Sequence, residues 1–433
     1  MRAHRARRGM RRRGTLVVAA ALAMFAVSAP ARADSVTDWN LNASNELHAV
    51  AIQGAASIAH LALVHIAIYD AVNAIDGRYE PYLVTPRARR WYSEDAAVAT
   101  AAYRVMVDIR PPLVTDAQQP ALVGRIQALY DAALAKIPEG RAKQGGIDVG
   151  NAAAGALIAV RLNDGRFGPF RFTVGTTVGQ WRPEPAGSPN DPFAWLKDVR
   201  PLLVRDSSQF RSRGPNALTS RRYAREFDEV KDLGAVNSKT RTDDQTAAAR
   251  FWGAANAPST WSALLRDVAA HDGGSVADHA RLFAKAYAAS ADALITTWAD
   301  KARYSFWRPL TAIHQADLDG NPTTDADPTW APLLNAPPYP EHPSGLSALG
   351  GAMVRSLQDF YGTDRFAFGT TNAAGQRSYT RFSQAVEEIV DARVWSGIHF
   401  RTSDDQGALI GEQVARWANR RYFTSPKEQD DDW

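Results

Sequence analysis

Apolar residues three and four apart recur in segment after segment of this chain, and no run of alternating β-branched residues is long enough to build a sheet. A 433-residue chain written in that pattern has to bury helix faces against other helices. Residues 50–75 are apolar and Ala-rich, and the same period returns over 93–109, 118–136 and 145–162, with Ser93 as an N-cap. It resumes at 218–235, 242–255, 259–270 and 276–300, the last running on towards Arg308-Pro309. Further helices are expected after Pro343, from about 380 to 395, and from 404 to 422. Residues 163–215 are rich in Gly, Pro and aromatics and read as a connection or surface flap, with a small hairpin over 170–178 around Gly175. The expectation is an all-α protein of roughly eleven helices.

Composition narrows the function. With 45% hydrophobic residues the chain can build a large core, and with no cysteine it cannot use thiolate catalysis, Cys-ligated metals or disulfides. No G-x-x-x-x-G-K-[ST], G-x-G-x-x-G or H-E-x-x-H occurs, which removes those phosphate-loop, dinucleotide and zinc-protease signatures. Residues 1–33 hold eight arginines and no acid, then an apolar stretch from Thr15 to about Ala29, then Ala31-Arg32-Ala33. This reads as a signal peptide for export to the periplasm or beyond, and Arg11-Arg12-Arg13 is compatible with the twin-arginine route. Without it, 42 Lys and Arg face 46 Asp and Glu, a net charge of −4 that offers nucleic acid no attraction. The remaining chain reads as an N-terminal helical half, about 34–240, and a C-terminal half, about 241–425, with no membrane span.

Chemistry concentrates in 298–404. Lys301 and Arg308 lie seven apart, two turns if one helix carries both, so that two cations share a face. Pro343-Ser344-Gly345 opens a small-residue helix and offers free backbone N–H groups, a hydroxyl and the positive end of a helix dipole. Arg393 adds a planar fork and His399 an imidazole. Converging donors of this kind suit a phosphate-like anion. His60 and His65, five apart on the apolar 50–75 segment beside Asp70, read as core or interface groups ahead of a metal pair, and His271 and His279 as surface groups.

In order and spacing these pieces resemble the signature of the superfamily that joins type 2 phosphatidic acid phosphatases and vanadium-dependent haloperoxidases: K-x6-R-P, then P-S-G-H, then S-R-x5-H-x3-D. Residues 64–75 are also similar to bacterial exported haloperoxidase-like proteins. The resemblance implies helical bundles, two of them four-helix-bundle-like, around an oxyanion pocket. It implies vanadate as cofactor, with phosphate as a competing occupant. Lys301, Arg308, Ser344, Gly345 and Arg393 would hold its oxygens, and His399 would bond the vanadium or attack phosphorus. Trp298 and Tyr339 match positions near the halide. The reaction implied is oxidation of halide by hydrogen peroxide, with a small organic acceptor. The alternatives are an acid phosphatase or a degenerate anion-binding relative. A homodimer is compatible with the resemblance.

Two departures matter. The histidine of P-S-G-H is Leu346, and a positioned acid–base group contributes about 10²–10⁴ in rate. His342 and His314 are the substitutes the sequence offers, and slowed proton transfer favours bromide or iodide over chloride. In the third motif Ala392 and Ser403 stand for the serine and the aspartate, leaving Asp404, one place late, to orient His399 or to cap the final helix.

Overall fold

The structure is a computed structural model and describes residues 34–111, 114–253 and 257–426. The expected leader and the acidic tail lie outside those residues.

Thirteen α-helices occur among the described residues. The first five are α1 (Ser35–Ala49), α2 (Gly54–Asp76), α3 (Glu94–Asp108), α4 (Gln119–Ala135) and α5 (Arg141–Arg161). After an irregular stretch come α6 (Arg221–Leu233), α7 (Asp243–Gly253), α8 (Ala257–Asp272), α9 (Val276–Tyr304) and the short α10 (Pro309–His314). Last are α11 (Gly345–Tyr361), α12 (Phe382–Trp395) and α13 (Arg401–Asn419). The fold is all-α, as the period implies. The helices missed from the sequence are the short α10 and α1, which opens with a capping box in which Asp34 and Thr37 satisfy each other's backbone N–H.

The apolar run of 50–75 becomes α2, buried at nearly every position and packed on α3, α5 and α9. It is long and apolar enough to cross a bilayer, but its most apolar stretch lies wholly inside the protein, as a central core helix requires. α9 carries the fold from this region to the site. Ser275 and Asp278 form a capping box at its start, and its body contacts α2, α11 and α13. Helices α11 and α13 approach so closely that a side chain at Gly411 would collide with the Ala348 carbonyl at 2.0 Å.

Three expectations are corrected. α9 does not run on to Arg308: it stops at Tyr304, Ser305 turns left-handed with φ 43°, and Arg308 is the extended N-cap of α10. Pro309 holds Arg308 in that extended geometry, since the residue before proline is kept out of helical φ/ψ. Residues 170–178 form no hairpin. A hairpin occurs instead at β1 (Arg365–Asn372) and β2 (Gly375–Arg381), pairing buried Phe368 with Tyr379 across an Asn-Ala-Ala-Gly turn. The 163–215 stretch is also more than a flap. Trp181 N–H donates to the Ser305 carbonyl at 2.7 Å, Trp307 N–H donates to Gly179 at 3.0 Å, and Glu184 accepts from Thr311 N–H at 2.8 Å. The stretch therefore pins the turn that carries Arg308.

Candidate active site

Lys301, Arg308, Ser344, Gly345, Arg393 and His399 are all buried. Lys301 sits on the last turn of α9, Arg308 at the head of α10, Ser344 and Gly345 at the head of α11, and Arg393 on the last turn of α12. His399 precedes α13. Lys301 and Arg308 thus meet because the chain turns between them, not because one helix face holds both.

Lys301 donates to the carbonyls of Pro340 and Glu341, at 2.7 and 3.0 Å. Arg308 donates through Nε to Tyr339 at 3.1 Å and through Nη1 to Ile398 at 2.8 Å, and that Nη1 stands 3.1 Å from His399 Nε2. Arg308 Nη2 and Arg393 Nε are buried without a hydrogen-bond partner. Among the described residues no carboxylate forms an ion pair with any of these three cations. Ser344 caps α11, leaving the N–H groups of Gly345 and Leu346 without intrahelical acceptors. Gly345 has to be glycine, because a Cβ there would lie 2.8 Å from the Trp298 ring.

This concentration of positive charge has electrostatic consequences. Burial, reinforced by Arg308, holds Lys301 well below its ordinary 10.5. Burial and the neighbouring Arg308 and Lys301 likewise push His399 well below 6.5. A tetrahedral oxyanion answers the whole inventory: it accepts from the orphaned guanidinium and helix-start N–H groups and offsets the unpaired cations.

The group that orients His399 is one the sequence reading missed. Glu341 Oε1 accepts from His399 Nδ1 at 2.8 Å and from Phe400 N–H at 3.0 Å. With Nδ1 donating, Nε2 keeps its lone pair for an incoming group. Burial lifts the Glu341 carboxyl to about 7, against the pull of Arg308 and Lys301. Asp404 is turned elsewhere, accepting from Ser347 Oγ at 2.9 Å beneath the α11 cap. The acid lacking at 403 is therefore supplied from the loop before Pro343.

Beside the cradle lies a cavity of about 360 Å³. Arg393 and Gly345 reach it, and Trp298, Tyr339 and Leu346 line it, so both expected halide-pocket residues face one space. The Trp298 and Tyr339 rings are 5.1 Å apart, and Lys301 Nζ lies 4.8 Å from the Tyr339 ring centre. His342 and His314 do not line this cavity. His342 Nε2 is 3.0 Å from Ser212 Oγ, and His314 Nε2 donates to the Trp330 carbonyl at 2.8 Å. His65 is a core group paired with Asn40, while Asp70 accepts three N–H groups of residues 82–84. His279 is not a surface group: it is buried and bridges Asp34 and Asp272 at 2.6 and 2.8 Å.

Residues 281–425, which carry most of this cradle, match the family model of the VCPO second helical-bundle domain. Over that third of its length the chain resembles the vanadium-dependent haloperoxidase superfamily. It is similar to the vanadium chloroperoxidase of Curvularia inaequalis, 32% identical over 152 residues that make up 29% of this chain and 24% of the relative. The match thus spans about a quarter of that relative's length. Among solved structures, a bacterial vanadium-dependent iodoperoxidase superposes with a TM-score of 0.79 at 21% identity, covering 91% of this chain and 97% of the other. An apo-type bacterial vanadium-dependent chloroperoxidase gives 0.64 at 20% identity, covering 85% and 93%. At such identities these two likenesses speak to the fold.

Proposed function

We propose that this protein is an exported vanadate-dependent haloperoxidase that uses hydrogen peroxide to oxidise bromide or iodide in preference to chloride. The observation that carries the reading is the set of three buried cations, unpaired by any described carboxylate, gathered around His399. Lys301, Arg308, Arg393, the Ser344 hydroxyl and the N–H groups that open α11 would hold vanadate's oxygens, and His399 Nε2 would face the vanadium. When bound, vanadate supplies Lewis-acid activation of peroxide towards halide. The protein's part is to hold the charge: the guanidinium and ammonium groups are fixed before the anion arrives, so little reorganisation is needed as negative charge develops. Glu341 keeps His399 in one tautomer, and the Trp298 and Tyr339 rings form apolar walls on the face where halide would approach. Leu346 transfers no proton, which favours the more easily oxidised halides. Release of a diffusible oxidant suits an exported protein.

The test is peroxide-dependent halogenation of monochlorodimedone with each halide, before and after loading with orthovanadate, beside a calorimetric vanadate titration. Vanadate-dependent bromination or iodination, lost in Lys301→Ala and His399→Ala, is the expected result. Chlorination as fast as bromination would contradict the halide preference. Vanadate binding without halogenation, together with hydrolysis of phosphate esters, would replace the reading by a phosphatase with His399 as nucleophile.

A further inference from the structure

Loss of the histidine at 346 leaves the site without its expected proton carrier, and neither His342 nor His314 lines the cavity. One carboxylate does. Asp191, from the irregular stretch before α6, lines the same cavity as Leu346, Gly345 and Arg393, and among the described residues it is the one acidic side chain in that lining. It is 4% exposed. Its carboxylate is fixed from two sides: Oδ1 accepts from Phe193 N–H at 2.8 Å, and Oδ2 accepts from Trp298 Nε1 at 3.1 Å. Its own N–H donates to the Pro338 carbonyl at 2.9 Å, tying it to the loop that bears Tyr339.

We infer that Asp191 is the proton-transfer residue of this site, doing from the cavity wall the work that Leu346 cannot do. The inference rests on the haloperoxidase reading above. Asp191 takes one proton from hydrogen peroxide entering the cavity and returns it to the peroxide oxygen that departs as water. The halide gives up two electrons to peroxide and leaves as hypohalous acid, so the cycle consumes one external proton and Asp191 ends as it began.

Its environment suits a group that must hold a proton and release it. Burial raises the carboxyl above its ordinary 3.8, while the Phe193 N–H, the Trp298 indole, Lys301 and Arg171 keep the ionised form accessible. Among the described residues, Tyr339 and Arg393 are the other titratable or charged groups bordering the cavity. A carboxyl group poised between these influences is the kind of acid–base group found in active sites.

Asp191→Asn tests this, since asparagine keeps an acceptor for the Trp298 indole. The variant is expected to melt with the wild type and to bind vanadate within twofold of it by calorimetry. Halide turnover should fall about 10²-fold or more. A second readout needs no halide: calorimetry in buffers of different ionisation enthalpy counts the protons released to solvent when peroxide meets the vanadate-loaded protein; in the wild type Asp191 retains the peroxide proton, so the variant should release about one more. Adding Leu346→His to Asp191→Asn should restore much of the turnover. An unchanged proton count in Asp191→Asn overturns the inference. A wild-type protein that binds vanadate and oxidises no halide overturns the haloperoxidase reading instead, and the proton count then decides the role of Asp191 alone.

Discussion

Two buried histidines in this molecule each hold a carboxylate on Nδ1, His279 to Asp34 at 2.6 Å and His399 to Glu341 at 2.8 Å, yet their protonation is driven in opposite directions. His279 has a second acid, Asp272, on Nε2, and although burial opposes it the two carboxylates lift it to about 9. His399 has the Arg308 guanidinium near Nε2, with Lys301 and Arg393 close by, and burial with those cations pushes it down. The same local hydrogen bond therefore means a closed ion bridge in one place and a neutral ligand in the other. What differs is the net charge of the surroundings. The α8–α9 corner gives His279 two carboxylates, whereas the cradle is short of negative charge until an anion arrives.

The largest effect should come from breaking the carboxylate contact in the cradle. Glu341→Gln keeps the volume and removes the charge that holds Nδ1–H. Loss of such an outer partner typically costs about 10–100-fold in affinity for the bound group, so vanadate binding by calorimetry should weaken by that factor. Asp272→Asn, the matching change at His279, should leave vanadate affinity unchanged. Equal effects from both variants would mean that Glu341 acts through general stability and not through His399.

A smaller effect, about tenfold per pH unit, should appear in the linkage between anion and proton. Lys301 is held well below 10.5 by burial and by Arg308, and an anion in the cradle raises it again. Binding therefore takes up a proton, and affinity falls as pH rises above the anion-free value. Sulfate is a suitable probe because its own charge does not change between pH 5 and 10. The slope of log affinity against pH should flatten in Lys301→Met, whereas a wild-type affinity independent of pH would place Lys301 outside the cradle.

How much of this was legible from the sequence follows from how local each signal is. The all-α fold was written in the apolar period, and the cradle residues in three short motifs. The turn between Lys301 and Arg308 is hidden in the sequence because a helical period continues towards Arg308, and the one local sign against it is the restraint that Pro309 places on Arg308. The hairpin at 365–381 shows its Phe366 and Phe368 alternation only faintly, and a pair of strands in a helical protein is easily passed over. Glu341 and Asp191 lay beyond a motif reading for another reason. Glu341 lies 58 residues before His399, and Asp191 lies 107 before Trp298, so only the folded chain makes either pair. Glu341 left one clue, an acid two places before Pro343 in a protein whose third motif lacks its own acid at 403. Asp191 left none, sitting among prolines in a stretch that looked like a connection.

The smallest effect concerns the doubly bridged histidine. His279 has its proton stabilised in the folded protein, about 9 against an ordinary 6.5. Below pH 6.5 it is charged whether the chain is folded or not, and the bridge to Asp34 and Asp272 contributes in full. Between 6.5 and 9 only the folded chain keeps the proton, so the contribution declines as pH rises, and above about 9 it is gone. After allowance for solvent screening the bridge should contribute about 1 kcal/mol, or roughly 1 °C in melting temperature for a chain of this length. The difference in melting temperature between wild type and His279→Gln should therefore be largest near pH 6 and vanish near pH 10. A difference that persists to pH 10 would show that the ring's packing, and not its charge, holds that corner. A difference that grows with pH would reverse the comparison, making His279 a neutral group like His399.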